Sequence, residues 1–123
     1  MKEIIAMIRP KKVSATRNAL VQLGYTCLTG IAVRGRGNQC GIAEEVGVTI
    51  HTDALYSSPA VGMRYVPKRM LSVIVPDDSI EKVKNAIIAV NQTGQIGDGK
   101  IFICPIEGAL RVRTGEAGEA AIL

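Results

Sequence analysis

At 123 residues and 47% apolar content the chain is sized for one ordinary domain around one core. The net charge of +4 comes from cations that are dispersed or set beside acids, and one Phe, three Tyr and no Trp leave little to stack on bases, so nucleic acid is excluded as an expected partner. Apolar runs stay short, and Glu3 and Pro10 interrupt the N-terminal one, which excludes a membrane helix and a signal peptide and predicts a cytoplasmic protein.

Residues 3 to 9 (EIIAMIR) are β-branched and apolar on both faces, as a central strand requires, and Pro10 ends them. Val13, Thr16, Leu20 and Leu23 then recur at helical spacing over about 12–23, with Gly24 as the terminator. Residues 27–35 read as a second strand. The connection that follows, about residues 36–67, is far longer than a hairpin turn, and loops of that length are functional or disordered. It opens with GRGNQCG, runs through Glu44, Glu45, His51, Asp53 and Tyr56, and closes with the basic VPKR. His51 has no second ligand type at metal spacing, so a metal role is not expected of it. The functional reading of this arm is a segment that a ligand orders and that docks on a partner.

MLSVIV (70–75) reads as a strand closed by Pro76, and Asp78 with Glu81 suggests a capping box for a helix that carries Ile80, Val83, Ile87 and Val90 on one stripe. IFICPI, residues 101–106, is the fourth strand. Two β-α-β units in tandem predict an α+β fold, the ferredoxin-like β-α-β-β-α-β sandwich with both helices on one sheet face. The other face then needs cover, and copies of the same chain are the simplest cover. Cys27, Cys40 and Cys104 are odd in number and lack C-x-x-C spacing, which suits reduced thiols.

The chemistry concentrates in TGQIGDGKIFICPIEGALRVRTGE, residues 93–116. Gly94, Gly97 and Gly99 permit positive φ and can turn backbone N–H groups toward an anion, and Lys100 follows at once. Arg111 and Arg113 add two guanidiniums that alternation along an extended chain would point to one side. The stretch from Gly94 to Lys100 imitates most of a Walker A loop, but Ile101 offers no hydroxyl for magnesium and a strand follows where a helix is needed, so a P-loop NTPase is excluded. Asp98 is the only general-base candidate beside the glycines, and an acid between glycines more often shapes a turn, so no dedicated catalysis is expected.

TGQIGDGKIF followed by RVRTGE, the opening MKEIIAMIRP, the GRGNQCG start of the long loop and the PK at its end resemble, in order, the signatures of the PII signal-transduction family over essentially the whole chain. The resemblance implies residues 1–123 as a single PII-like domain with its long flexible loop at about 37–67, assembled as a homotrimer or as a mixed trimer with a paralogue. It also implies ATP or ADP in the clefts between subunits and 2-oxoglutarate beside Mg-ATP. Carried over by position, Gly97, Asp98, Gly99 and Lys100 resemble the phosphate loop, Arg111 and Arg113 the cations on the phosphates, Thr29 the adenine-side threonine, and Gly37 and Asn38 further nucleotide neighbours. Gly37, Gln39 and Gly41 match the loop base around 2-oxoglutarate, with the Gln39 amide oxygen in the magnesium shell, and Lys68 matches the lysine on the distal carboxylate. A hard cation with oxygen ligands suits that set.

The chain also departs from the pattern. Asn38 replaces a common arginine, Cys40 a usual lysine, and Ser72 a frequent glutamate, which leaves ATP against ADP open. The elongated loop does not align with the segment bearing the modified tyrosine of the channel regulators, so Tyr56 is a poor uridylylation candidate. Loop length and the PKRMLSVIVPDD and VNQTGQIGDGKIF runs resemble the nitrogen-fixation branch, whose members bind nitrogenase and switch it off. The expected function is therefore nitrogen and energy signalling, with a nitrogenase component or another nitrogen-metabolism protein as partner. Regulation of an ammonium channel or of glutamine synthetase through the same loop, or slow ATPase activity, are the alternatives. No arginine lies between Asn38 and Met63 to enter a pore, and Arg64 sits near the loop base, which favours a target other than the channel.

Overall fold

The structure, a computed structural model, describes residues 1–37 and 65–123. Asn38, Gln39, Cys40, Gly41, His51, Tyr56 and Arg64 lie outside the described residues. The elements are β1 (Lys2–Ile8), α1 (Val13–Gln22), β2 (Thr29–Gly35), β3 (Val66–Val75), α2 (Ile80–Asn91) and β4 (Lys100–Pro105), the expected β-α-β-β-α-β order. They form one four-stranded sheet in the order β2-β3-β1-β4, antiparallel throughout.

The sheet is two-sided, and the alternation of strand side chains decides what each side does. Ile4, Ala6 and Ile8 of β1 with Leu71, Val73 and Val75 of β3 form a buried core with Leu20 of α1 and with Val83 and Ile87 of α2, so both helices pack on one face. The other face carries Ile5, Ile31 and Phe102, of which the last two are about half exposed at 47% and 48%. Burying a large apolar side chain is worth roughly 1.5–3 kcal/mol, so this face remains energetically incomplete in an isolated chain.

β1 and β4 each lie one residue earlier than expected, at Lys2–Ile8 and Lys100–Pro105, and three further differences from the sequence expectation have larger consequences. The first is at β3, which begins at Val66 rather than at 70 and so takes VPKR out of the loop and into the sheet. Its pairing with β2, from Gly35 opposite Val66 to Ile31 opposite Met70, is a long-range contact that local composition does not announce. Pro67 is tolerated because β1 ends at the Ile8–Arg69 pair, leaving β3 a neighbour on one side only at that point. The second is at β2, which starts at Thr29, so Cys27 is an exposed free thiol ahead of the strand. The third is at the helix starts, since each helix is entered through a 3-10 turn, Pro10–Lys12 and Asp77–Ser79. The Asp78–Glu81 capping box does not form. Ser79 takes the N-cap position with no side-chain cap and donates to Asp78 at 2.9 Å, while Glu81 pairs with Lys84.

The helices are tied where the site begins. Thr16 Oγ1 donates to the Lys12 carbonyl at 2.8 Å and accepts from Asn91 Nδ2 at 2.9 Å, and that amide also donates to the Ile87 carbonyl at 2.9 Å. Asn91, 5% exposed, therefore takes the buried place at the end of the α2 stripe, and Val90 is only half-buried. A buried polar link of this kind holds the start of α1 against the end of α2, from which the glycine turn springs.

Candidate functional site

Strand register brings three of the described candidate residues to the open sheet face. Residues directly opposite in a ladder share a face. Thr29 pairs with Ser72, Ser72 with Ile5 and Ile5 with Phe102; one row along, Ile31, Met70, Met7 and Lys100 follow; Val33 pairs with Lys68 beyond that. Thr29, Lys68 and Lys100 thus stand on one surface, with Gly37 two residues past the end of β2.

The glycine turn closes the end of this surface. Gly94, Gly97 and Gly99 all have positive φ, at 81°, 99° and 113°. Gly99 is required on two grounds: its φ suits glycine, and a Cβ there would lie 1.8 Å from the Met7 carbonyl oxygen. The turn therefore sits directly on the backbone of β1.

Asp98 points into the turn. Its Oδ2 accepts from the Thr93 amide at 2.7 Å and the Gly94 amide at 2.9 Å, and its Oδ1 accepts from the Thr93 hydroxyl at 2.5 Å and from Arg9 Nη1 at 2.6 Å. The Thr93 hydroxyl, the Arg9 guanidinium and the two amides hold this carboxyl far below the ordinary carboxylate range, against the opposing effect of burial. Arg9, 5% exposed, also donates Nη2 to the Ile96 carbonyl at 2.9 Å, and Lys68 Nζ donates to the Gly97 carbonyl at 2.8 Å. Two cations thereby fix carbonyls of the turn from behind and beside it. Arg9 and Thr93 were not among the residues expected to build this site. The only signal for them was an arginine closing an apolar strand and a threonine five residues ahead of an aspartate.

The second arginine-bearing segment is not an extended chain, which corrects the alternation argument. Residues 112–114 form a turn inside a hairpin closed by the Leu110–Ala117 bridge, by Arg111 N donating to the Glu116 carbonyl at 2.8 Å and by Gly115 N donating to the Arg111 carbonyl at 2.8 Å. Arg111 Nη1 pairs with Glu116, and its Nη2 donates to the Ala120 carbonyl at 3.1 Å and the Leu123 carbonyl at 2.5 Å. Arg113 is exposed on the turn. Within the chain, Arg111 serves its own hairpin.

Among the described residues no cluster of three or more His, Cys, Asp or Glu side chains is placed to hold a metal ion, and no helix is long and apolar enough to cross a membrane. The family model described as nitrogen regulatory protein P-II matches residues 1–116, and the chain belongs to that family of regulatory signalling proteins. The nitrogen fixation nifHD region GlnB-like protein 2 of Methanobacterium ivanovii is 54% identical over 123 residues, covering 100% of both chains. The nifHD1 region GlnB-like protein 2 of Methanosarcina barkeri is 48% identical over 122 residues, covering 99% of both. These relatives carry the nitrogen-fixation branch that the elongated loop resembles. A crystal structure of Arabidopsis thaliana PII bound to citrate superposes with a TM-score of 0.74 at 31% identity, over 98% of this chain and 88% of that one.

Proposed function

We propose that this chain signals nitrogen and energy status by binding ATP or ADP, with 2-oxoglutarate, in clefts between the subunits of a trimer, homomeric or mixed with a paralogue, and that it inhibits nitrogenase when 2-oxoglutarate is low. The observation that carries the reading is the shared face: Thr29 at one end, Lys68 and Lys100 at the other, and a pinned glycine turn beside them. The half-exposed Ile31 and Phe102 on the same face favour its closure by a second copy.

In this reading Gly97, Gly99 and Lys100 hold the phosphates, and Arg111 and Arg113 approach them from the neighbouring subunit. Thr29 lies by the base with Gly37 and Asn38. Gln39, Gly37 and Gly41 surround the keto acid and Lys68 pairs with its distal carboxylate. Bound magnesium supplies a hard cation that oxygen ligands from phosphate, keto acid and the Gln39 amide can share. Asp98 keeps the turn in shape, and a carboxylate already holding four hydrogen bonds and poorly basic is unsuited to proton abstraction, which supports a regulator without dedicated catalysis. The names of the methanogen relatives support nitrogenase as the target, and the citrate bound to the Arabidopsis protein supports a carboxylate effector.

Lys68 and Gln39 flank the long loop, so a ligand engaging both restrains its two ends together. Linkage then requires the keto acid to weaken partner binding by the factor the partner weakens keto-acid binding, about 5- to 150-fold for ordinary allosteric coupling. Calorimetry should find ATP binding in the wild-type protein, and a nitrogenase inhibition assay with 2-oxoglutarate titrated in should find relief of inhibition. Lys68→Ala and Gln39→Ala should each abolish that relief while retaining ATP binding. Absence of ATP binding by the wild-type protein overturns the reading as a whole; intact nucleotide binding with no effect on nitrogenase removes only the partner.

A further inference from the structure

An open cleft of about 620 Å³ lies beside the glycine turn, lined by Arg9, Lys11, Lys12, Ala15, Thr93 and Gln95. Its lining shares no residue with the open sheet face: it comes from the 3-10 turn and first turn of α1, with Arg9, and from Thr93 and Gln95. Among the described residues no carboxylate lines it. Lys11 is exposed and Lys12 half-buried, and neither ammonium has an ion-pair partner among the described residues. Asp98 offsets the charge of Arg9, and Lys11 and Lys12 contribute two further positive charges to the lining. Like charges gathered at one cleft repel one another, and a multivalent anion is the occupant that relieves the repulsion.

We propose that this cleft is a second ligand site, for a small polyvalent oxoanion of the phosphate or oligocarboxylate class. Lys11 and Lys12 supply the charge, and Thr93 and Gln95 supply polar groups at the opposite wall. The volume falls within the range of small-molecule sites. Occupancy there touches the same turn whose inner side carries Gly97, because Thr93 and Gly94 are bonded to Asp98 and Asp98 to Arg9. An anion in the cleft thereby contacts the glycine turn at Thr93 and Gln95 without using Gly97, Gly99 or Lys100.

The test is a titration of the full-length ¹⁵N-labelled protein, saturated with ATP, with inorganic pyrophosphate in one arm and tricarballylate in the other. Amide shifts should appear at Lys12, Ala15, Thr93 and Gln95 at low salt and weaken as salt is raised. The Lys11→Ala/Lys12→Ala double variant should bind the anion about tenfold or more weakly, corresponding to the loss of charge-assisted contacts, with ATP affinity unchanged. Tighter binding of pyrophosphate assigns phosphate, and tighter binding of tricarballylate assigns carboxylate. No shifts at these residues up to about 10 mM of either anion, or equal shifts in the double variant, overturns the proposal. Should the protein fail to bind ATP, the same titration on the unliganded protein still reads the cleft, because its residues are other than those assigned to the nucleotide.

Discussion

The glycine turn and the C-terminal hairpin each carry the cations expected at a phosphate site, yet they are built in opposite ways. In the turn the charged groups brace the backbone: Arg9 and Asp98 neutralise one another, Lys68 holds the Gly97 carbonyl, and the result is a shaped arc of glycines. In the hairpin the cation is itself the occupied group, because Arg111 is divided among Glu116, Ala120 and Leu123 of its own segment. One loop is organised before any ligand arrives, and the other must exchange partners to reach one. Preorganised donors lose little on binding, whereas an exchanged ion pair returns only the difference between two partners.

The comparison breaks most severely at Gly99. Gly99→Ala places a Cβ against the Met7 carbonyl in a backbone conformation that L residues rarely adopt. The turn then has to lift from β1, with an expected destabilisation of about 3–5 kcal/mol in urea unfolding, since both a backbone clash and an unfavourable φ act at one residue. A loss below about 1 kcal/mol would show that the turn can relax away from β1 and is not rigidly seated.

Asp98→Asn probes the same rigidity through charge. The folded-state carboxyl is held far below its ordinary value by the Thr93 hydroxyl first and Arg9 next. A depressed folded pKa contributes stability that is fully present above the unfolded value near 3.9 and is lost as pH falls below it toward the folded value. Wild-type stability should therefore fall below about pH 4, and the variant, already weaker by about 2 kcal/mol at neutral pH with Arg9 left facing an amide, should show a shallower acid limb. Parallel acid limbs in the two proteins would mean that other carboxylates carry the acid response.

How much of the molecule is legible in its sequence follows from how local each cause is. The strand and helix periods, the fold order and the glycines of the turn are short-range signals, and they read directly. The start of β3 does not, because Val66, Pro67, Lys68 and Arg69 have loop composition and become a strand only by pairing with β2. Arg9 resembles a solvated strand end, since its partner Asp98 lies 89 residues away. Alternation reads Arg111 to Arg113 as extended because the bonds that bend this segment, from Arg111 to Glu116 and to the Ala120 and Leu123 carbonyls, leave no mark on local periodicity.

The smallest expected effect is the one that sharpens the contrast. In the hairpin, Glu116 accepts from Arg111 and from the Thr114 hydroxyl, and among the described residues it is the acidic side chain that competes for that guanidinium. Glu116→Gln keeps the shape and an acceptor but removes the charge, so Arg111 is held less tightly and reaches a phosphate at lower cost. If Arg111 serves the nucleotide of a neighbouring subunit, the variant should bind ATP about threefold more tightly, while Arg111→Ala should bind it about tenfold or more weakly. The two changes therefore have opposite signs although both break the same ion pair, which a purely structural role for the hairpin does not predict. Equal weakening in both variants would make the hairpin a scaffold whose integrity matters. No change in either would take Arg111 out of the nucleotide site and leave Lys100 and Arg113 as its cations.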